Sequence, residues 1–318
     1  MKVEPITDAA WDAFCAARPE AGFFHRPEWR AIQGGVLKRF GVLDDKGLMV
    51  AAFQLTRTKR NRITLWSQPP FVQHCAYLAD LRANNPAKRN GDAKRLHAAV
   101  AAFLARLPGV VTVGFPAGET DMQPYIWAGA KVIPSYTYRI DLLAGIDAVR
   151  KDYAAETRNA IKKAASDGVE VRSASRKEVL PLIEATFNRK EKALDRAKVD
   201  RILAAFLDSG QGYAFLTEWK GKAVAAAFCG TDAQRAYYLL GGHVKAGGHA
   251  GAGALTVDAC IGEAVARGIP QFDLEGSMIP EVERFFRGFG AVLTPYYTVN
   301  RASFLMEVLL KRNWRHQF

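Results

Sequence analysis

The sequence lacks the hydrophobic runs and the cysteine patterns that would indicate a membrane-spanning or secreted protein. None of its apolar stretches approaches the roughly 20 residues that a membrane helix requires, and the opening MKVEPITDAAWDAF has no apolar segment of the kind found in secretion signals. The cysteines form no CxxC pair that would predict a zinc site or a disulfide framework. They are Cys15, Cys75, Cys229 and Cys260. We therefore expect a cytoplasmic protein with reduced, mostly buried thiols and no bound metal.

Acidic residues are also scarce relative to basic ones. There are 32 Asp and Glu against 44 Lys and Arg, which gives a formal net charge of +12. A positive surface concentrates phosphates and carboxylates around it, so this charge favours an anionic partner. Nucleic acid, a phosphorylated sugar and an anionic membrane surface all satisfy that condition, and so does a basic surface that contacts only water.

The length of 318 residues favours two domains, because single cores stop growing at about 250 to 300 residues. A short internal repeat supports this division. The segment Gly129–Thr137 matches Gly290–Thr298 with one gap, and the two copies lie about half the chain length apart. Such a long period is typical of a duplicated domain rather than of a solenoid. We expect domains at residues 1–143 and 144–318.

Hydrophobic periodicity predicts an α/β chain in which each domain is a mixed, mostly antiparallel sheet flanked by helices. In the first half, the predicted helices are 11–17, 92–107 and 121–128, and the predicted strands are 40–43, 48–57, 62–66, 110–115 and 132–142. In the second half, the predicted helices are 146–165, one or two within 177–209, and 254–267, and the predicted strands are 169–172, 212–218, 223–230, 236–240 and 271–274.

A glycine-rich loop precedes the predicted helix 254–267. Gly248, Gly251 and Gly253 would let backbone N–H groups approach a phosphate at the helix N-terminus. A flexible glycine-rich turn is the alternative interpretation. The spacing GxxGxG differs from the GxGxxG of dinucleotide-binding loops, and the preceding strands are predicted to be antiparallel, so we set a dinucleotide site aside.

The order strand, glycine loop, helix and strand resembles the acyl-CoA-binding core of the GNAT acetyltransferases. In that superfamily a Gln or Arg usually begins the loop motif, whereas this sequence has Gly248 there. The resemblance therefore implies that coenzyme A binds weakly or not at all. Further on, Phe272–Met278 followed by Phe285–Ala291 resembles the FemAB branch, as does the junction formed by Tyr138–Leu142 and Arg158–Ala164.

Resemblance to FemAB implies two tandem GNAT-like domains and transfer of an aminoacyl group from aminoacyl-tRNA to an amine of a peptidoglycan precursor. The FemAB signature usually has a Lys at the position of Arg287. Arginine keeps the positive charge but replaces the compact ammonium group of lysine with a planar guanidinium that has several N–H donors. The sequence has no long coiled-coil arm.

Three groups of residues are the candidate site. The candidate catalytic residues are Arg287, Asp273 and Glu275; the candidate substrate-binding residues are Arg158, Lys162, Ser277 and Tyr297; and the candidate donor-phosphate contacts are Gly248, Gly251 and Gly253. Arg287 would face developing negative charge, and either carboxylate could accept a proton from the amine. Helix capping and surface ion pairing are the alternatives for these charged residues.

Three functions remain open from the sequence. The first is an aminoacyltransferase acting on an anionic acceptor such as a cell-wall precursor, with tRNA as a possible partner and with possible peripheral membrane contact. The second is an acyl-CoA-dependent N-acetyltransferase acting on a sugar or polysaccharide precursor. The third is a non-catalytic RNA- or membrane-surface-binding protein that uses basic residues at 59–62 and 311–315.

Overall fold

A computed structural model describes residues 1–81, 83–189, 194–244, 246–276 and 278–313. In the first half, the helices are α1 (Asp8–Ala16), α2 (Glu28–Gln33), α3 (Pro86–Arg106) and α4 (Gln123–Trp127). The strands of that half are β1 (Lys2–Pro5), β2 (Leu37–Leu43), β3 (Met49–Arg60), β4 (Ile63–Ser67), β5 (Leu78–Ala79), β6 (Val110–Gly114) and β7 (Lys131–Asp141).

The second half continues the alternation of helices and strands. Its helices are α5 (Ile146–Asp152), α6 (Ala155–Ser166), α7 (Arg176–Arg189), α8 (Arg196–Asp208), α9 (Ala252–Ala266), α10 (Pro280–Arg287) and α11 (Phe304–Asn313). Its strands are β8 (Glu170–Ser173), β9 (Gly212–Trp219), β10 (Lys222–Thr231), β11 (Arg235–His243), β12 (Gln271–Asp273) and β13 (Val292–Arg301).

The chain divides into two compact units, and the first of them combines two separate segments of the sequence. The first unit comprises residues 1–135 and the residues from 295 onwards, and the second comprises residues 136–294. The sequence-based boundary at 143/144 differs from this division, which falls within β7 and within β13. The reason is that β13 pairs antiparallel with β6, so that Val299 lies opposite Val113.

The first unit contains a sheet with strand order β1-β2-β3-β4-β6-β13, and β5 pairs separately with β3. Its neighbours are antiparallel except β4 and β6, which run parallel and are joined through α3. Asn85 caps the start of α3 by accepting the N–H of Lys88, and Pro86 occupies the first turn. The buried side chains of α3, among them Leu96, Val100 and Leu104, pack over the sheet in one hydrophobic core.

The second unit contains a sheet with strand order β8-β9-β10-β11-β12-β7. Its neighbours are antiparallel except β11 and β12, which run parallel and are joined through α9. The core of this unit lies between the sheet and helices α5, α9 and α10, with Phe272, Phe286 and Phe289 among its members. The helical spacing of Phe285, Phe286 and Phe289 predicts core residues, and this holds for Phe286 and Phe289, whereas Phe285 is 37% exposed.

Both sheets follow one topology. Four antiparallel strands lead through a crossover helix to a parallel fifth strand, and an antiparallel sixth strand completes the order. The repeated segments Gly129–Thr137 and Gly290–Thr298 begin those sixth strands, and Gly129 and Gly290 both adopt positive φ ahead of them. The predicted fold class, two tandem domains with mixed, mostly antiparallel sheets, is confirmed.

One predicted helix is broken in two. Residues 146–165 form α5 and α6 instead of one helix, because Tyr153 is extended and buried between them. Its hydroxyl donates to Asp258 at 3.1 Å, and Asp258 also accepts two hydrogen bonds from Arg150, at 2.9 and 2.7 Å. These long-range bonds outweigh the helical preference of the local sequence.

The sequence predicts reduced, mostly buried thiols and no membrane-spanning helix, and the described part of the structure agrees with both expectations. All four cysteines are free, and Cys75, Cys229 and Cys260 are buried whereas Cys15 is partly exposed. Within the described ranges, every helix is too short or too polar to cross a bilayer.

Candidate active site

The sheet of the second unit opens between β11 and β12. The two strands pair only from Arg235 with Gln271 to Tyr237 with Asp273. Beyond that point the chain follows β7, because the N–H of Leu274 donates to the carbonyl oxygen of Tyr138 at 2.9 Å. Beyond Tyr237, β11 has no further strand on this side within the described part of the chain, although the N–H of His243 at its end donates to the Thr186 hydroxyl of α7 at 3.0 Å. The edge before His243 can pair with an extended ligand.

A β-bulge lies where the opening begins. Phe228 and Cys229 of β10 pair with Leu240 and Tyr238, which leaves Leu239 of β11 without a partner in that register. A bulge bends its strand and redirects the following backbone groups. The bulge lies two residues beyond Tyr237, the last residue of β11 that pairs with β12.

Asp273 is fully buried at the end of β12. Its carboxylate accepts hydrogen bonds from the Thr137 hydroxyl at 2.6 Å and from Nε of Arg139 at 2.7 Å. It also accepts the N–H of Glu275 at 3.0 Å. With its oxygens bonded in this way, Asp273 fixes the strand end and the backbone of Glu275.

Glu275 follows with an unusual backbone and an unsatisfied side chain. Its φ is 58°, a left-handed conformation that is uncommon outside glycine. The residue is partly exposed, but its Oε1 atom is buried and has no hydrogen-bond partner among the described residues. Burial, and then the Asp273 carboxylate, raises the pKa of Glu275 well above its usual value, while Arg139 and Arg235 oppose that rise. Strained, unsatisfied carboxyls of this kind are typical of functional sites.

The glycine loop is held by His249. The N–H of Gly251 donates to Nδ1 of His249 at 3.1 Å, and the N–H of Ala252 donates to the His249 carbonyl oxygen, also at 3.1 Å. Each glycine has its own steric environment. A Cβ on Gly251 would lie 2.3 Å from the carbonyl oxygen of Ala160 in α6, whereas one on Gly253 would meet nothing closer than Phe285, at 3.9 Å. Gly251 is thus needed for helix packing, and only Gly253 is open.

Gly248 is also constrained by a close approach of the backbone. A Cβ on Gly248 would lie 2.3 Å from the carbonyl oxygen of Val244. No larger side chain fits this loop conformation, so the Gln or Arg of GNAT loops could not replace Gly248 without a change in backbone.

Arg287 lies on the opposite face of β7 from the Asp273 carboxylate. Its Nε pairs with Glu283 Oε1 at 3.0 Å, and the same oxygen accepts the Tyr138 hydroxyl at 2.8 Å. Successive side chains of a strand alternate between its faces, so Tyr138 faces away from Thr137 and Arg139, which hold Asp273. Arg287 is 63% exposed. The structure does not bring it together with the two predicted carboxylates.

The predicted substrate-binding residues that the structure describes lie on α6 and β13. Arg158 donates through Nη1 to the carbonyl oxygens of Lys151 and Tyr153, so its guanidinium caps the end of α5. Lys162 is exposed on α6. Tyr297 belongs to the first unit, where it packs against the hydrophobic core and its carbonyl oxygen accepts the N–H of Phe115. Ser277 lies outside the described residues.

Sequence analysis missed the residues that hold the site. Thr137 and Arg139 alternate along β7 and so share a face, and the FemAB-like junction overlaps this strand. That alternation is the signal that could have identified them as partners of a carboxylate.

One family model matches most of the second unit. Residues 151–287 match the model of the acetyltransferase (GNAT) domain. No curated protein matches the sequence.

Solved structures match nearly the whole chain at low sequence identity. A crystal structure of FemX is 13% identical, with a TM-score of 0.65, and the match covers 98% of this chain and 100% of that one. The C-terminal domain of a putative lysylphosphatidylglycerol synthetase from Agrobacterium fabrum is 12% identical, with a TM-score of 0.57 and 96% coverage of both chains. A tandem GNAT protein from the clavulanic acid biosynthesis pathway is 13% identical, with a TM-score of 0.50 and coverage of 94% of this chain and 98% of that one. These matches confirm the tandem GNAT fold, and the predicted resemblance to FemAB agrees with them.

Proposed function

We propose, from the premise that this chain is an acyltransferase with the tandem GNAT fold, that it transfers an aminoacyl group from aminoacyl-tRNA to an amine of an anionic acceptor. The reaction forms an amide bond to the amine nitrogen and breaks the ester bond to the tRNA ribose. The amine must lose a proton, and the departing ribose oxygen must gain one. A group that accepts and then returns this proton would serve both steps.

The buried, unsatisfied Oε1 of Glu275 is the observation that carries the proposal. It lies directly after β12, at the opening where an extended donor could pair with the free edge of β11. Burial raises the pKa of the Glu275 carboxyl, and a carboxylate with a raised pKa is a stronger base than an ordinary glutamate. In this role Glu275 would take the proton of the attacking amine and pass it to the leaving oxygen. Asp273 would position Glu275 through its backbone N–H.

The glycine loop favours an aminoacyl donor over coenzyme A. The N–H groups of Gly251 and Ala252 already donate to His249. A pyrophosphate would be left with the next N–H groups of the helix, at Gly253 and Ala254, which have no acceptor within a helix. We therefore expect acetyl-CoA to bind weakly.

Acyl-CoA-dependent N-acetylation of a sugar or polysaccharide precursor is the second candidate. The matched domain model is described as an acetyltransferase, and this description favours an acyl-CoA donor. Measured affinity for acetyl-CoA separates the two candidates, because a submicromolar dissociation constant would support the acetyltransferase and contradict an aminoacyl donor.

For the acceptor, the net charge of +12 favours an anionic molecule. Similar folds occur in FemX and in the putative lysylphosphatidylglycerol synthetase, which supports a cell-wall or lipid precursor that carries phosphate.

The test is a transfer assay with two labelled donors. A pool of aminoacyl-tRNA and, separately, acetyl-CoA would each be incubated with the protein and a UDP-linked muropeptide that carries a free amine. We expect label to enter the muropeptide only from aminoacyl-tRNA. Glu275→Gln keeps the side-chain volume but removes the base, so it should lower the rate by about 100-fold or more.

Glu263→Gln is the matched control, because Glu263 lies on α9 in a salt bridge with Arg267. It should transfer at the wild-type rate. Label transferred only from acetyl-CoA would replace the donor assignment, and full activity of Glu275→Gln would exclude Glu275 as the proton acceptor.

A further inference from the structure

Helix α11 in the first unit exposes one apolar face. Phe304 is 80% exposed, Leu305 76% and Val308 51%. The opposite face of the helix is occupied, since Met306 and Leu310 pack against the small cluster of Val110 and Ala302. Large exposed apolar side chains grouped on one helix mark an interaction surface more often than single ones do.

The turn between β3 and β4 carries a cluster of cations. Lys59, Arg60 and Arg62 are exposed, and none forms an ion pair with a described residue. The sequence has no acidic residue between Gly47 and Asp80. The positive charge of this turn is therefore not neutralised locally.

The cations and the apolar face lie at the same end of the first unit. Ile63, paired directly with Arg60 across the turn, packs against the same small cluster as Met306 and Leu310 of α11. Arg301, the last residue of β13, donates to the carbonyl oxygen of Leu107 at 2.9 Å and so adds a further cation at this end. We call the exposed residues Lys59, Arg60, Arg62, Phe304, Leu305 and Val308 the basic-apolar end.

We propose that the basic-apolar end binds the surface of an anionic lipid bilayer. Apolar side chains of an interfacial helix enter the boundary between headgroups and acyl chains, while neighbouring cations contact anionic headgroups. The apolar residues of the basic-apolar end would enter the boundary with the acyl chains, and its cations would contact the headgroups. Contact would be peripheral, because no described helix can span a bilayer.

The apolar half of the surface distinguishes a bilayer from a nucleic acid. Phosphate contacts need only cations, and single-stranded bases stack on aromatic side chains. Phe304 could stack on a base, but the aliphatic Leu305 and Val308, which are 76% and 51% exposed, offer neither kind of contact. A bilayer uses both the aliphatic residues and the cations.

Vesicle flotation tests the proposal with the full chain. Vesicles of phosphatidylcholine alone would be compared with vesicles that contain equal parts of phosphatidylcholine and phosphatidylglycerol. We expect wild type to float only with the anionic vesicles, and to bind less tightly as salt is raised. Each Lys or Arg near an anionic surface strengthens binding about fivefold, so Lys59→Gln combined with Arg60→Gln should weaken it roughly 20- to 30-fold.

The apolar half is tested by combining Phe304→Ser, Leu305→Ser and Val308→Ser, which should reduce binding at least about tenfold. Leu48→Ser is the matched apolar control, since Leu48 is 63% exposed and precedes the other end of β3. Lys46→Gln combined with Lys222→Gln controls for net charge. All variants change exposed side chains, and circular dichroism would verify that they are folded.

Three results would overturn the proposal. Wild type could fail to float with anionic vesicles. The control variants could lose as much binding as the variants of the basic-apolar end, which would indicate an unspecific charge effect. The Lys59 and Arg60 variant could lose tRNA binding in a filter assay while vesicle binding is unchanged, which would assign the cations to nucleic acid.

Discussion

Nδ1 of His249 accepts the backbone N–H of Gly251 at 3.1 Å, inside the glycine loop that precedes α9. The proton of the neutral ring is then on Nε2, which lies 3.0 Å from Asp167 and donates to it. The ring is 8% exposed and packs edge-on against Trp219. His249 thus stabilises the loop through both of its ring nitrogens.

Replacing His249 with alanine should loosen this loop. His249→Ala leaves the N–H of Gly251 without its acceptor, and we expect a loss of about 1 to 2 kcal/mol in the free energy of unfolding. Urea denaturation measures the loss, and amide exchange should accelerate selectively at residues 248–252. Unchanged exchange at these residues would show that the loop does not depend on the ring.

Two glycine variants separate packing from ligand binding. Gly251→Ala places a methyl group against the carbonyl oxygen of Ala160, so it should displace α6 from α9 and cost about 1 to 3 kcal/mol of stability. Gly253→Ala meets only Phe285 at 3.9 Å, and it should be neutral or stabilising by up to about 1 kcal/mol. Thermal unfolding of both proteins checks the contrast, which equal melting temperatures would contradict.

Glu275→Gln should become more stable than wild type as the pH rises. In the folded protein the pKa of Glu275 is raised above its ordinary value of 4.5. At a pH just above 4.5, Glu275 therefore keeps its proton in the folded protein, whereas most unfolded chains have lost it. The unfolded state then binds fewer protons, so the free energy of unfolding of wild type falls as pH increases through this range. The glutamine has no proton to lose. Urea midpoints of the two proteins should agree at pH below 4.5 and diverge above it in favour of Glu275→Gln. Parallel curves would contradict the raised pKa.

Asp273→Asn should be strongly destabilising. The asparagine removes the charge that pairs with Arg139, and breaking one partner of a buried ion pair costs about 3 to 5 kcal/mol. Thr137→Val removes one hydrogen bond to the carboxylate and the acceptor of the Gly276 N–H, and it should cost about 1.5 to 3 kcal/mol. Asp141→Asn, at an exposed position of the same strand β7, is the control. Chemical denaturation gives all three values, and a cost near that of Asp141→Asn would exclude the positioning role of Asp273.

Arg287 stays a sequence-based prediction. Its exposed ion pair with Glu283 contributes about 0 to 1 kcal/mol, so Arg287→Ala should leave the melting temperature close to wild type. As a donor to transition-state charge it would account for roughly 100- to 1,000-fold in turnover, and Arg287→Lys should keep much of the activity. Arg284→Ala, exposed on the same helix, should turn over normally. Wild-type turnover by Arg287→Ala would remove Arg287 from the site.

Helix boundaries show what the sequence pattern could indicate. The apolar face of α3 begins at Leu96, and periodicity therefore predicts a helix from residue 92. The helix starts at Pro86 instead. Its first two turns are polar and exposed, so they leave no hydrophobic periodicity from which the start could be predicted. The cap at Asn85 and the proline after it were the available evidence for the earlier start.

Only part of the site could be predicted from the sequence. Asp273 and Glu275 were found through a short motif, but Thr137 and Arg139 are 136 and 134 residues from Asp273 in sequence, so no local spacing could link them. The glycine loop was found as well. Its interpretation as a phosphate-binding loop is incomplete, because Gly251 is needed for the close packing of the loop against the backbone of Ala160 in α6.

The membership of β13 in the first unit has a consequence for biosynthesis. Strand β6 is completed by residue 114, but its partner β13 starts only at residue 292. At a translation rate of about 5 to 20 residues per second, the edge of β6 waits on the order of 10 to 40 seconds for that partner. An unpaired edge is a template for association with other chains. Nascent chains stalled before β13 should therefore depend on ribosome-associated chaperones, and premature stop codons just before β13 should yield aggregates instead of a shortened soluble protein.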